Sequence, residues 1–190
     1  VPLDLESKYT GAAARDYEAR RIGSAKWEFE RSSVEAMLPA CETVLDVPVG
    51  TGRFLRLYQA RGIAATGLDV SPDMLQLAGE KAPATLIRGD VLTHELGRQF
   101  DCVVCVRLAN WMGRDFQPLL DRLAGLSRRW LLMSVTTTAG PSYVRHTGAL
   151  ILAEDAAFGA MGRAGLREVA KRSSKQKGGD MANIVLLEKA

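Results

Sequence analysis

Three aspartates that close apolar runs, and two glycines one residue apart, are the groups in this chain best suited to gripping a polar ligand. Asp46 lies near the end of the run Val44, Leu45, Val47, while Asp69 closes a second run (GLD) and Asp90 a third (TLIRGD). Ionised carboxylates accept hydrogen bonds from hydroxyls and amines. In VLDVPVGTGRF, Gly50 and Gly52 let the main chain turn sharply and let a ligand come close, because neither carries a Cβ. From Arg53 the pattern becomes helical, with Phe54, Leu57 and Tyr58 on one face. The turn therefore opens onto a helix N-terminus, whose unpaired N–H groups and partial positive charge suit an anion.

The elements that must position these groups recur at the spacing of strand–helix units. After Asp69, Ser71 can cap a helix, Pro72 suits its first position and Asp73 complements its dipole. FDCVVCVRLANWM (Phe100–Met112) reads as a nearly continuous apolar strand followed by a polar and aromatic loop. Acids at the carboxyl ends of adjacent parallel strands face the crevice where doubly wound sheets bind ligands. Ahead of the first strand, KWEFERSSVEAML (residues 26–38) predicts an amphipathic helix. Further strands are expected at Ala64–Val70, Thr85–Gly89, Asp101–Leu108 and Trp130–Thr136, and a terminal pair at Leu166–Arg172 and Ile184–Leu187. Helices are expected at Phe116–Ser127, with Leu119, Leu120, Leu123 and Leu126 on one face, and at Ala153–Arg163.

This set of motifs resembles the class I, Rossmann-like S-adenosylmethionine-dependent methyltransferase family. Specific motifs cover Val44 to Met112, and the rest agrees in element order. The resemblance implies an α/β fold, a doubly wound, mostly parallel seven-stranded sheet with an antiparallel terminal strand, in one domain over 1–190. The family's first motif is an acid followed by alternating glycines, filled here by Asp46, Gly50 and Gly52. Pro48 stands where the first glycine is usual, and it can supply neither a positive φ nor an N–H.

By the same resemblance, the cofactor is S-adenosyl-L-methionine. Asp46 would lie near its methionine amino group, partly through water, and Gly50, Thr51 and Gly52 would pass beside the methionine and ribose. Asp69 would accept both ribose hydroxyls, Met74 and Val70 would cover the adenine face, Asp90 would accept the adenine amino group, and the Val91 N–H would reach a ring nitrogen. A comparable amino-terminal segment in relatives closes over the cofactor, so residues 1–38 are expected to form a helical lid. In it Tyr9 or Tyr17 would touch the methionine end and Arg21 would face its carboxylate, the alternative being that they only pack and solvate the first helix. A nicotinamide dinucleotide fits less well, because its fingerprint wants a third glycine where Leu55 stands.

The expected function is in-line methyl transfer to a small molecule. The alternatives are a protein or RNA acceptor, or a module that binds the cofactor without transferring its methyl group. No catalytic base is evident. Candidates around the acceptor are Asn110 to orient it, Arg107 (also counted among the cofactor-binding residues) to hold an anionic group, with an ion pair inside the fold as the equal alternative, and His146 as proton acceptor. GPSYVRHTG (residues 140–148) reads as a loop too short to build a substrate domain.

Composition agrees. The chain has 190 residues, 47% of them hydrophobic, with 25 basic against 22 acidic side chains and a formal charge of +3, too mild to argue for nucleic acid. KRSSKQKGG (Lys171–Gly179) is basic but lacks aromatics to stack on bases, so a solvated hairpin loop is expected. No apolar run reaches membrane-spanning length and no signal peptide is visible, so a soluble cytoplasmic enzyme without membrane partners is expected. Cys102 and Cys105 stand at an odd offset in a strand, which points them to opposite faces and argues for core packing. With His94 and His146 isolated, no metal site is expected.

Overall fold

The computed structural model describes residue 9 and residues 11–176 and 178–190. The remainder of the expected lid, residues 1–8 and 10, and Lys177 of the basic stretch lie outside the described residues.

Two helices, α1 (Ala12–Ala19) and α2 (Ala25–Met37), precede the sheet. Ser24 caps α2, its hydroxyl accepting from the Trp27 N–H at 3.3 Å, and Trp27, Glu30, Val34 and Met37 recur at helical spacing along the buried face. Then follow β1 (Thr43–Asp46), α3 (Leu55–Ala60), β2 (Ala64–Asp69), α4 (Pro72–Gly79), β3 (Thr85–Arg88) and β4 (Phe100–Cys105). Helix α4 starts as its sequence predicts. Ser71 Oγ accepts from Met74 N at 3.2 Å, with Pro72 in the first position and Asp73 in the first turn. Helix α5 (Phe116–Leu126) buries Leu119, Leu120 and Leu123 completely, and leads into β5 (Ser127–Thr138). The chain ends with β6 (Tyr143–Val144), β7 (Leu150–Ala153), α6 (Glu154–Arg163), β8 (Leu166–Lys175) and β9 (Met181–Lys189).

The main sheet runs β3-β2-β1-β4-β5-β9-β8. Pairings from β3 across to β5 are parallel, and β9 runs antiparallel to both its neighbours. This is the expected doubly wound sheet with its last strand reversed. It carries one addition. Residues 140–148, expected as a loop, include β6, which pairs with β7 in a hairpin, and β7 in turn extends β5 at Thr137–Thr138. A two-residue strand is too short to leave an alternating pattern in sequence.

Strand alternation divides the core into two layers. Leu45, Val103, Cys105, Leu131 and Met133 face α5 and α6, whereas Val44, Cys102, Val104 and Leu132 face α2, α3 and α4. Cys102 and Cys105 therefore pack in opposite layers, as their odd offset predicts. At the outer edge, β8 exposes Arg167, Lys171, Arg172 and Lys175, charges that discourage pairing with another strand. Lys171–Lys175 thus belong to this strand, which runs three residues further than expected before the chain turns. Among the described residues, no helix is long and apolar enough to cross a membrane.

Candidate active site

The carboxyl ends of β1, β2, β3 and β4 meet along one rim, and the glycine turn is built there. Val49 N donates to Leu68 O at 3.0 Å and Gly52 N to Val49 O at 3.0 Å, closing the turn between β1 and α3. Gly50 and Gly52 both have positive φ (54° and 77°). Their surroundings differ. A Cβ on Gly52 would lie 2.9 Å from the Ala78 backbone, so this glycine lets the turn pack on α4. A Cβ on Gly50 would meet nothing within 4 Å, so this glycine leaves the main chain open to the crevice. The Val47–Pro48 peptide is cis.

Asp69 is the best-organised acid of the rim. Its Oδ2 accepts from Gly50 N and its Oδ1 from Ser71 N, each at 2.9 Å. A carboxylate offers about four acceptor positions, so two backbone donors fix its orientation and leave the others for a ligand. Burial raises its pKa, against the lowering effect of the hydrogen bonds from Ser71, Gly50 and Val70. Asp90 is exposed on the crevice wall, its Oδ1 accepting from Leu92 N at 2.9 Å. Asp46 departs from expectation. It shares a strand face with Val44, beneath α3, and its Oδ2 accepts from Tyr58 Oη at 3.2 Å, so it is not among the side chains lining the crevice. Burial pushes its pKa up to about 8, eased by the Tyr58 hydrogen bond, with the Asp69 charge adding to the rise.

The crevice is a cavity of about 1260 Å³. Asp69, Val70 and Met74 line it from the second unit, Asp90 and Val91 from the third, and Pro48, Gly50 and Thr51 from the turn. Arg107 also lines it, and makes the ion pair inside the fold that was the alternative to holding an anionic ligand. It has φ 70°, unusual for a residue with a side chain, and its N–H donates to Ser134 Oγ at 2.7 Å. Its Nε donates to Glu30 Oε2 at 2.6 Å, and the same oxygen accepts from Arg53 Nη1 at 2.9 Å. The Arg53 guanidinium stacks 3.6 Å from the Trp27 ring centroid and also donates to the Trp27 carbonyl. Glu30 is 1% exposed, so one buried carboxylate on α2 holds two guanidiniums, one from each side of the crevice.

The amino-terminal segment docks on this machinery. Tyr9, Tyr17 and Trp27 line the cavity, with the Tyr9 and Tyr17 rings edge-to-face at 5.5 Å. Glu18 accepts from Thr51 Oγ1 and from Lys81 Nζ, each at 2.6 Å, so α1 is tied directly to the glycine turn. Gly11 N donates to Asp73 Oδ2 at 2.6 Å, and Ser71 Oγ to Tyr9 O at 2.6 Å. Arg21 sits 4.5 Å from the Tyr17 ring centroid, facing a second, smaller cavity of about 370 Å³ that shares Tyr9, Tyr17, Arg107 and Trp111 with the first.

The two other acceptor-side candidates differ in setting. Asn110 Nδ2 donates to the Thr136 and Leu150 carbonyls at 2.8 and 2.7 Å, and its Oδ1 accepts from Thr136 N at 2.8 Å. Both its donors are committed to bracing β5 and β7, although it lines the smaller cavity. His146 is exposed at the tip of the β6–β7 hairpin and lines neither cavity. The residues that the sequence reading missed are Glu30, Arg53, Glu18 and Tyr58, which act across distances in sequence that local patterns do not encode.

Residues 44–129, which include the glycine turn and the three acids, match the methyltransferase domain family. Over 107 residues the chain is 33% identical to a dTDP-3-amino-3,6-dideoxy-alpha-D-glucopyranose N,N-dimethyltransferase of Streptomyces fradiae, an alignment covering 53% of this chain and 42% of that protein. It is 34% identical over 111 residues to a dTDP-4-amino-2,3,4,6-tetradeoxy-D-glucose N,N-dimethyltransferase of Saccharopolyspora spinosa, covering 54% and 44%. The match thus spans less than half the length of these curated relatives. Among solved structures, the magnesium protoporphyrin IX methyltransferase of Synechocystis PCC 6803 with bound SAM superposes with a TM-score of 0.76 at 17% identity, covering 98% of this chain and 95% of that one. Residues 44–129 thus match the methyltransferase domain in sequence, and the whole chain has the Rossmann-like fold of that solved methyltransferase.

Proposed function

We propose that this chain binds S-adenosyl-L-methionine in the larger cavity and catalyses transfer of its methyl group to a small-molecule acceptor. The observation that carries the reading is Asp69, oriented by the Gly50 and Ser71 N–H groups at the wall of a crevice bordered by the glycine turn, which is open at Gly50. These residues fit the cofactor. Asp69 keeps acceptor positions for two ribose hydroxyls, Met74 and Val70 offer apolar cover to the adenine, and Asp90 Oδ2 and the Val91 N–H offer an acceptor and a donor to its edge. The main chain of Gly50, Thr51 and Gly52 passes beside the methionine and ribose portions. Asp46, held by Tyr58 behind the strand, supports the turn instead of contacting the ligand.

The cofactor supplies a methyl group already activated on a sulfonium, so the protein's task is alignment of an incoming nucleophile. Holding two reactants in line contributes up to about 7–11 kcal/mol. A positioned base adds ~10²–10⁴-fold where the acceptor must lose a proton. Among the described residues neither cavity is lined by a histidine, and alignment is the chemistry these residues support. Tyr17 and Trp27 of the amino-terminal segment, together with Trp111, wall the crevice and exclude water from the path.

Both curated relatives are named for dimethylating an amino group on a nucleotide-linked sugar, which supports a small acceptor here. Incubation with donor labelled in its methyl group and a cell extract tests the reading. Label is expected in the small-molecule fraction. Label on protein or RNA, or cofactor binding with no transfer to any fraction, would contradict it.

A further inference from the structure

The smaller cavity carries a charge imbalance that the cofactor does not account for. Among the described residues, four cationic side chains line it, Arg21, Lys26, Arg107 and Arg145, against Glu30 as the only acid on its wall. Glu30 is already shared between Arg107 and Arg53 through one oxygen. Arg145 is matched by Asp180, which also accepts from Tyr143 Oη at 2.6 Å. Lys26 and Arg21 remain. Arg21 stacks on Tyr17, and neither side chain makes an ion pair or donates a hydrogen bond to another described residue.

A half-buried ammonium without a partner is costly, because burial removes water without supplying a counter-ion. Lys26 responds in the expected direction. Burial lowers its pKa, Glu30 pulls it back only in part, and Arg107, Arg145 and Arg21 depress it further, while Asp180, whose own pKa Lys26 helps to lower, is held by Arg145 and Tyr143. The unmatched charge faces a cavity of about 370 Å³, room for a small acidic group and part of its carrier. Lys26 and Arg21 line this cavity and not the larger one, whereas Tyr17, Arg107 and Trp111 border both.

Building on the methyl-transfer reading, we propose that the smaller cavity is the acceptor's anion subsite, in which Lys26 and Arg21 hold a carboxylate or phosphate carried by the acceptor. The ammonium contributes a compact point charge and the guanidinium a fork that matches a planar or tetrahedral oxyanion. An acceptor anchored there reaches the larger cavity across the shared wall at Tyr17 and Trp111. Its uncharged part meets the apolar wall at Phe29, Val135 and Ile151.

Calorimetric titration of the chain saturated with S-adenosylhomocysteine tests this, with inorganic pyrophosphate and malonate as probes for the two acid types. Prior saturation removes the cofactor's own carboxylate as an explanation. At least one probe is expected to bind, and to bind at least fivefold more weakly in Lys26→Met and in Arg21→Met, with Lys26→Arg restoring most of the affinity. The stronger probe tells phosphate from carboxylate. Normal S-adenosylhomocysteine binding with no probe binding, or with probe affinity the same in wild type and both Met variants, overturns this proposal and leaves the cofactor reading standing. Failure of the wild-type chain to bind S-adenosylhomocysteine would overturn both.

Discussion

Asp46 and Asp69 illustrate how two acids at equivalent strand ends acquire different work. Asp69 closes β2 facing the rim and is met by two backbone N–H groups, while Asp46 turns behind β1 and is met by one phenol. The difference was present in the sequence. Alternation that sends Val44 under α3 sends Asp46 the same way, and the motif-based expectation overlooked it. Its consequence is a pH dependence. With a folded pKa of about 8 against an ordinary value of 3.8, the native state binds more protons than the unfolded chain between those values, so this group's contribution falls as pH rises across that window. Asp46→Asn removes the titration and keeps the Tyr58 hydrogen bond. Urea unfolding at a series of pH values is expected to give the variant a flatter profile, with a gain over wild type of order 1 kcal/mol or more by pH 8. Asn110 could not have been resolved from sequence, since the carbonyls it holds belong to Thr136 and Leu150 and become its neighbours only when the sheet closes.

At the scale of elements, the βα units were legible because each one repeats the same local logic. An apolar strand ends in an acid, a cap or glycine follows, and then a 3.6-residue pattern begins. Ser71, Pro72 and Asp73 delimit α4 by local chemistry, and the structure follows them. What joins the elements was not legible. Glu30 couples α2 to the turn through Arg53 and to the loop after β4 through Arg107, pairs separated widely along the chain. Glu30→Gln leaves two buried guanidiniums without a counter-charge and is expected to destabilise the fold by about 3 kcal/mol, seen as a lower denaturation midpoint in urea with an unchanged slope. Gly52 is the corresponding contact between the turn and α4. Gly52→Ala forces a side chain into a left-handed conformation 2.9 Å from the Ala78 backbone, and is expected to cost about 1–2 kcal/mol from the conformation alone. Its S-adenosylhomocysteine affinity should fall too, because the turn must move to relieve the clash. The β6–β7 hairpin was hidden for a simpler reason, being too short to show a period.

For the whole molecule, the sheet gathers Asp69, Asp90 and the glycine turn onto one rim, and the amino-terminal segment borders the crevice beside them. Glu18 bridges Thr51 and Lys81, and Tyr9 and Gly11 bond to Ser71 and Asp73, so the segment rests on the elements that shape the crevice. We infer that it acts as a lid. Trimming residues 1–24 is expected to weaken cofactor affinity and lower turnover, and a truncated chain with both unaltered would refute that role. Beneath the lid, the whole account depends on one crevice taking one adenosyl compound. Its most direct measurement is calorimetric titration of the wild-type chain and of Asp69→Ala with S-adenosylhomocysteine. Hydrogen bonds to a charged acceptor contribute about 1.5–3 kcal/mol each. One-to-one binding to the wild type, at least tenfold weaker in Asp69→Ala with the fold intact by circular dichroism, is the predicted result. Equal affinity in the two proteins, or no binding to the wild type at millimolar ligand, would contradict it.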